Sequence, residues 1–239
     1  MTALSGEEAL RYSRHIKLPD FGTSGQQKLK SARVLIIGVG GLGSPAALYL
    51  AAAGVGTIGL MDGDKVSLSN LQRQVLHSTP DLDKPKVESA REKLLALNPN
   101  VEVVCIKDFL TADNAAQTIR AYDFIIDGTD DIEAKFLIND TCVALGKPFS
   151  YAALLRYEAQ AFTYLPGHSN LRDIFGAPPA AGTIETCALA GVLGSVAGMF
   201  GTIQATEAIK YLTAVGQPLA DRLLIFDALD FSFQQLDIS

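Results

Sequence analysis

The segment Gly38-Val39-Gly40-Gly41-Leu42-Gly43 has the pattern G-x-G-x-x-G, directly after an apolar run and before a small-residue stretch. Glycines at that spacing let the backbone turn tightly and approach a phosphate, and the helix start beyond them offers unpaired N–H groups. Asp62 stands nineteen positions after Gly43, where an acidic side chain accepts hydrogen bonds from ribose hydroxyls. Together these residues indicate a nucleotide, with NAD, FAD, S-adenosylmethionine and ATP all open. Asn70, Arg73 and Gln74 then fall at helical spacing and can share one face. Lys84 and Lys86 follow, with Lys86 in the first turn of an expected helix, where a cation opposes the macrodipole. A local rule broken in this way marks a functional site, and an anionic ligand would relieve it. The β and γ phosphates of ATP need such cations; a dinucleotide does not. Asp130 and Asp131 lie just past an expected central strand, at the edge where open α/β sheets bind ligands. Asp131 is assigned as a helix N-cap and Asp130 as a ligand for Mg2+, a hard cation that favours one or two carboxylates plus phosphate oxygens.

These residues need a scaffold of alternating strands and helices. Val34 to Ile37 and Thr57 to Met61 read as buried parallel strands, with a small-residue helix from Pro45 to Ala53 between them, closed by Gly54. A helix starting near Pro85 runs on Val87, Ala90, Leu94 and Leu97 to Asn98-Pro99. Strands at Glu102 to Ile106 and Phe124 to Asp127 follow, then a helix from Asp131 to Leu145 with Ile132, Phe136, Asn139 and Val143 inward. Ser5 caps an amphipathic N-terminal helix, and Gly25 to Lys30 forms another. The expected fold is α/β: a Rossmann-like, mostly parallel sheet with helices on both faces. C-terminal strands at Phe149 to Ala153, Tyr157 to Tyr164, Leu223 to Asp227 and Phe231 to Leu236 extend it. Pro166 to Gly182 reads as a long functional loop. Residues 1–239 are read as a single nucleotide-binding domain with an N-terminal helical extension.

Composition narrows the partners. With 20 Lys+Arg against 26 Asp+Glu, the net charge of -6 opposes a nucleic-acid backbone. Cys105, Cys142 and Cys187 form no disulfide framework, and the charged N-terminus is no signal peptide, so a cytoplasmic protein is expected. Cys187 to Thr206 carries no charge, but its four glycines and polar residues mark a buried helix rather than a membrane span.

The string Arg11-Tyr12-Ser13-Arg14, the glycine loop, Asp62 through Asp64, Leu68-Ser69-Asn70-Leu71-Gln72-Arg73-Gln74, Pro85-Lys86, Asp127-Gly128-Thr129-Asp130 and Thr186-Cys187 with Ala190-Gly191-Val192 resembles the ubiquitin-activating-enzyme superfamily. Within it, the chain is similar to the bacterial adenylyltransferases that activate ubiquitin-like sulfur carriers for molybdopterin and thiamine synthesis. The resemblance covers essentially the whole chain, in order. It implies a homodimer, MgATP, and adenylylation of the C-terminal glycine of a carrier ending in Gly-Gly. It further implies that Gly41 approaches the phosphates and Asp62 the ribose, that Asn70, Arg73 and Lys86 contact the phosphates, and that Gly38, Gly40, Gly43 and Gln74 belong to the same nucleotide site. Asp130 would bind Mg2+, and Arg14 would be the arginine inserted in trans from a second subunit.

A C-terminal carboxyl group, with a reference pKa of about 3.3 to 3.7, is already nucleophilic at neutral pH, so no general base is needed. His15, His77 and His168 are accordingly read as structural or surface residues. Two features depart from the resemblance. The zinc-binding Cys-x-x-Cys pairs usual in close relatives, one in the region of Gly167 to Arg172 and one at the C-terminus, are missing, so no zinc is expected and packing alone must hold that region. Cys187 matches a cysteine that joins the activated carrier in sulfur transfer, and is kept as a candidate nucleophile beside its reading as a small buried hydrophobe. Gly191, Gly194, Gly198 and Gly201 are expected to permit close helix packing and a dimer contact. The competing readings are adenylylation of another peptide or carboxylate, an NAD-dependent oxidoreductase, and a non-catalytic scaffold.

Overall fold

The computed structural model describes residues 3–179 and 190–239. Short β-branched runs flanked by glycine or proline form the strands, and longer runs with a 3.6-residue period form the helices between them. In chain order these are α1 (Gly6–Arg11), α2 (Ser13–Ile16), α3 (Gly22–Ser31), β1 (Arg33–Ile37), α4 (Gly43–Ala53), β2 (Thr57–Met61), α5 (Lys86–Leu97) and β3 (Glu102–Ile106). There follow α6 (Ala112–Arg120), β4 (Phe124–Asp127), α7 (Ile132–Leu145), β5 (Phe149–Leu155), β6 (Glu158–Tyr164), α8 (Leu171–Phe175), α9 (Gly194–Thr213), β7 (Arg222–Asp227) and β8 (Ser232–Asp237). Among the described residues the strands form one 8-stranded sheet in the order β3-β2-β1-β4-β5-β6-β7-β8. Strands β1 to β5 pair in parallel, whereas β6, β7 and β8 add antiparallel, as expected.

Alternate residues of the central strands feed opposite layers. Val34, Ile36, Ile58, Leu60, Phe124 and Ile126 pack under α4, α5 and α9, while Leu35, Ile37, Met61 and Ile125 meet α6 and α7. Because β1 returns to β2 on one side and the chain crosses to β4 on the other, the loops after β1 and β4 emerge side by side. This is the topological switch point of an open α/β sheet. Gly38 adopts φ +87°, and a Cβ on it would meet the Gly128 carbonyl oxygen at 2.7 Å, so the two loops touch through bare backbone.

Several expectations need correction. The capping box of Ser5 and Glu8 forms, but the N-terminal helix breaks at Tyr12 into α1 and α2. The inner face of α7 runs through Lys135, Phe136, Ile138, Asn139 and Cys142, and Val143 is exposed; Leu97 of α5 is exposed as well. The segment after Pro166 is not plain loop, because Asn170 and Asp173 cap α8 within it; residues 180–182 lie outside the described residues. Nor is that region held by packing alone. His168 bonds Asp221 at 2.6 Å, the Ser169 N–H donates to the same carboxylate, and the Ser169 hydroxyl donates to the Ile238 carbonyl. Arg172 forms a two-point pair with Asp140 on α7. Helix α9 begins at Gly194, and no helix among the described residues is long and apolar enough to cross a membrane. Of its glycines, Gly194 and Gly201 permit close packing within the chain, as expected. A Cβ there would approach the Gln72 carbonyl oxygen at 2.4 Å and that of Leu42 at 2.2 Å, whereas one on Gly191 or Gly198 would meet nothing within 4 Å among the described residues.

Candidate active site

The carboxyl ends of β1, β2 and β4 carry the glycine loop, Asp62 and the Asp127–Asp131 turn. Glycine is needed at 43 because a Cβ would sit 2.0 Å from the Gly38 carbonyl oxygen; Gly40 and Gly41 instead face outward and half exposed. The Val39 N–H donates to Asp62 Oδ2 at 2.8 Å, so the acidic residue chosen for the ribose also fixes the loop. Its other oxygen accepts the Asp64 N–H at 2.8 Å.

The downstream cations lie beside this loop. Leu68–Asn70 is a single 3-10 turn, and the N–H groups of Arg73 and Gln74 both donate to the Asn70 carbonyl. One turn therefore sets Arg73 and Gln74 against successive glycines. The Arg73 side-chain stem lies against the Cβ direction of Gly41, and the Gln74 amide nitrogen lies 3.5 Å from that of Gly40. Asn70 itself caps its turn, accepting the Ser67 N–H. Gln74 is buried, and its Oε1 has no hydrogen-bond partner among the described residues. Lys86 opens α5 as expected, yet its mismatch with the helix dipole is already answered inside the chain: Nζ bonds Asp64 at 2.8 Å and lies 3.7 Å from Asp62.

The turn after β4 divides its aspartates as expected. Asp131 accepts the Ala134 N–H at 2.7 Å and caps α7, whereas Asp130 is exposed. Three further residues carry this turn, and the motif reading gave them no role. Asp127 is fully buried; one oxygen takes the Thr129 N–H and hydroxyl, the other the Lys135 ammonium at 3.1 Å. Lys135 also donates to the Ala152 carbonyl, and the Gln204 amide donates to the Asp127 carbonyl. A charged residue on the inner face of a helix, as Lys135 is, was the available signal.

Arg14 is not near its own glycine loop. Tyr12, two residues earlier, covers Gly54 at the C-terminal end of α4, and the loop lies at the N-terminal end of that 11-residue helix, about 16 Å away. Arg14 is exposed and has no partner among the described residues. Cys187 and Thr186 lie outside the described residues. Cys105 and Cys142 are free, and burial pushes both thiols up, away from thiolate chemistry.

Residues 12–239 match the sequence profile of the ThiF family. The chain belongs to the ThiF family. It is 45% identical over 242 residues to the probable adenylyltransferase/sulfurtransferase MoeZ of Mycobacterium tuberculosis, covering 99% of this chain but only 62% of that relative. It is 42% identical over 238 residues to the sulfur carrier protein adenylyltransferase of Thermus thermophilus, covering 97% and 88% of the two chains. The fold is also that of Escherichia coli MccB solved with ATP, with a TM-score of 0.82 at 24% identity over 96% of this chain and 71% of MccB. The glycine loop, Asp62, Arg73, Lys86 and Asp130 all fall within the ThiF match. So does Arg14, whereas α1 precedes it.

Proposed function

We propose that residues 1–239 act as a single adenylating domain that uses MgATP to adenylylate the C-terminal glycine carboxylate of a ubiquitin-like sulfur-carrier protein. The observation that carries this reading is the placement of Arg73, Gln74 and Lys86 beside a glycine loop at the sheet switch point. The names of the MoeZ and Thermus relatives support the substrate class. The pocket chemistry fits a nucleotide: the bare backbone of Gly40 and Gly41 lies against the Gln74 and Arg73 side chains, and the unpartnered Gln74 Oε1 is an acceptor suited to a hydroxyl or amino donor.

In this reading a carboxylate oxygen of the carrier attacks the α-phosphorus, the bond to the β-phosphate oxygen breaks, and pyrophosphate leaves. No proton need be removed from the nucleophile. The loop N–H groups and the Arg73 guanidinium receive phosphate charge, and catalysis consists of alignment and electrostatic stabilisation. Lys86 supplies its ammonium from a site pre-organised by Asp62 and Asp64. Mg2+, when bound, neutralises phosphate charge, and the exposed Asp130 is the carboxylate that would hold it. Arg14, remote from its own loop, would serve a second subunit of a homodimer, where an arginine stabilises charge during transfer. Cytoplasmic placement accords with the free thiols of Cys105 and Cys142. Cys187 stays a candidate for a covalent intermediate. No zinc is proposed, since hydrogen bonds from residues 168 and 169 already tie that segment to Asp221 and Ile238.

An NAD-dependent oxidoreductase would use the loop and Asp62 but would give Arg73 no ligand to meet and Lys86 only its two aspartates. Mass spectrometry of the chain incubated with MgATP and candidate C-terminal tails tests the proposal. An adenylate, 329 Da heavier than a Gly-Gly carrier by the mass of AMP less water, is expected; an adduct on an unrelated carboxylate would redirect the substrate assignment.

A further inference from the structure

His77 is buried beneath the glycine loop. Its Nε2 lies 3.1 Å from the Val39 carbonyl oxygen and its Nδ1 2.9 Å from the Ser89 hydroxyl. A carbonyl only accepts, so Nε2 carries the proton, and in the neutral ring Nδ1 accepts from Ser89. Ser89 is in turn approached by the Lys93 ammonium, which pairs with the buried Asp81. On the other side of Val39, its N–H donates to Asp62. Both polar groups of one residue in the middle of the glycine loop are therefore held by buried side chains from outside the loop.

Resting on the nucleotide reading of the site, we propose that His77 is a positioning residue for ATP: as a neutral imidazole oriented by Ser89, it draws the Val39 carbonyl inward while Asp62 holds the N–H. The phosphate-facing backbone beyond Val39 is thereby preset before the nucleotide arrives. Gly40 and Gly41 have no side chains to fix their peptides; the Gly40 carbonyl accepts the Ser44 N–H, and the clamp on Val39 fixes the peptide that precedes Gly40. The charged groups facing His77 are Lys86, Asp62 and Asp81, with Lys93 behind Ser89. Burial holds the imidazole below its ordinary value, the Val39 bond works against this, and Lys86 adds to the lowering. Charging the ring at low pH makes Nδ1 a donor toward Ser89 and sets a second cation near Lys86.

MgATP binding measured by titration calorimetry on the intact chain separates the outcomes. Glutamine can present an amide nitrogen where Nε2 stands, and asparagine cannot reach that point. His77→Asn should bind MgATP about tenfold more weakly, and His77→Gln should recover to within about threefold of wild type. A folded His77→Asn that binds as wild type does would overturn the clamp. Should His77→Asn fail to fold, Ser89→Ala carries the test: weakened MgATP binding supports the clamp and unchanged binding overturns it. Failure of the wild type to bind MgATP would instead remove the nucleotide site, and the clamp with it.

Discussion

Arg73 and Lys86 have the same assigned role but stand in different surroundings. The Arg73 stem lies against the glycine loop and its guanidinium donates, among the described residues, only to the Ser69 carbonyl, so little of the fold depends on it. Lys86 is bound to Asp64 and sits near the buried Asp62. Arg73→Ala should therefore slow adenylylation by on the order of 10² to 10³, by analogy with the loss of one transition-state donor, and leave the denaturation midpoint nearly unchanged. Lys86→Ala should lose rate similarly and also lose about 2 kcal/mol of stability, less than a fully buried pair because Asp64 is exposed. Steady-state rates with urea titrations check both, and a loss below tenfold in both variants would remove the pair from the site. The motif spacing showed which residues converge, but not what holds them. His77 was legible as structural, whereas its bond to Val39 depends on a contact across 38 residues that no local pattern encodes.

The elements were mostly legible because buried strands and glycine-terminated helices leave strong local marks. Every strand of the sheet falls within a few residues of its sequence expectation, and Gly54 closes α4 in the left-handed conformation as expected. Helix faces were read less well. Val143 and Leu97 look inward by period alone, yet α7 turns Lys135 to the core because Asp127 supplies a partner there. Tertiary pairing overrode hydrophobic patterning. The glycines of α9 separate in the same way. Gly201→Ala would drive a methyl into the Leu42 carbonyl and Pro45, costing about 1–3 kcal/mol of overpacking. Gly198→Ala meets nothing within 4 Å among the described residues and should gain up to about 1 kcal/mol of helix propensity. Urea denaturation of the two variants reads the difference; equal destabilisation would contradict the close seating of α9 on the glycine loop.

At the scale of the whole molecule, two consequences follow from placement. With Arg14 at the far end of α4, the proposed homodimer would complete the site between subunits. Arg14→Ala and Arg73→Ala chains, each inactive alone, should regain about a quarter of wild-type activity when co-refolded in equal amounts, since half the dimers are mixed and each mixed dimer holds one intact site. No recovery from a mixture shown to contain mixed dimers would place Arg14 outside the site. Acid sensitivity is the second. His77 is held below its ordinary value of 6.5 by burial, so its contribution to stability is full above that pH and is lost as pH falls through it toward the folded value. Burial alone would raise the Asp81 carboxyl, but hydrogen bonds from Lys93 and Ser78 hold it below 3.8, so its contribution is full above that value and lost below. Thermal melts should therefore weaken in two stages on acidification, the first absent in His77→Gln. Exchange of labelled pyrophosphate into ATP, measured on the purified chain with Mg2+ and a Gly-Gly-terminated carrier, bears most directly on the role of the cations beside the glycine loop. Exchange that requires both additions and disappears when the carrier's last glycine is deleted is the predicted result; no exchange, with NADH bound and ATP not, would contradict it.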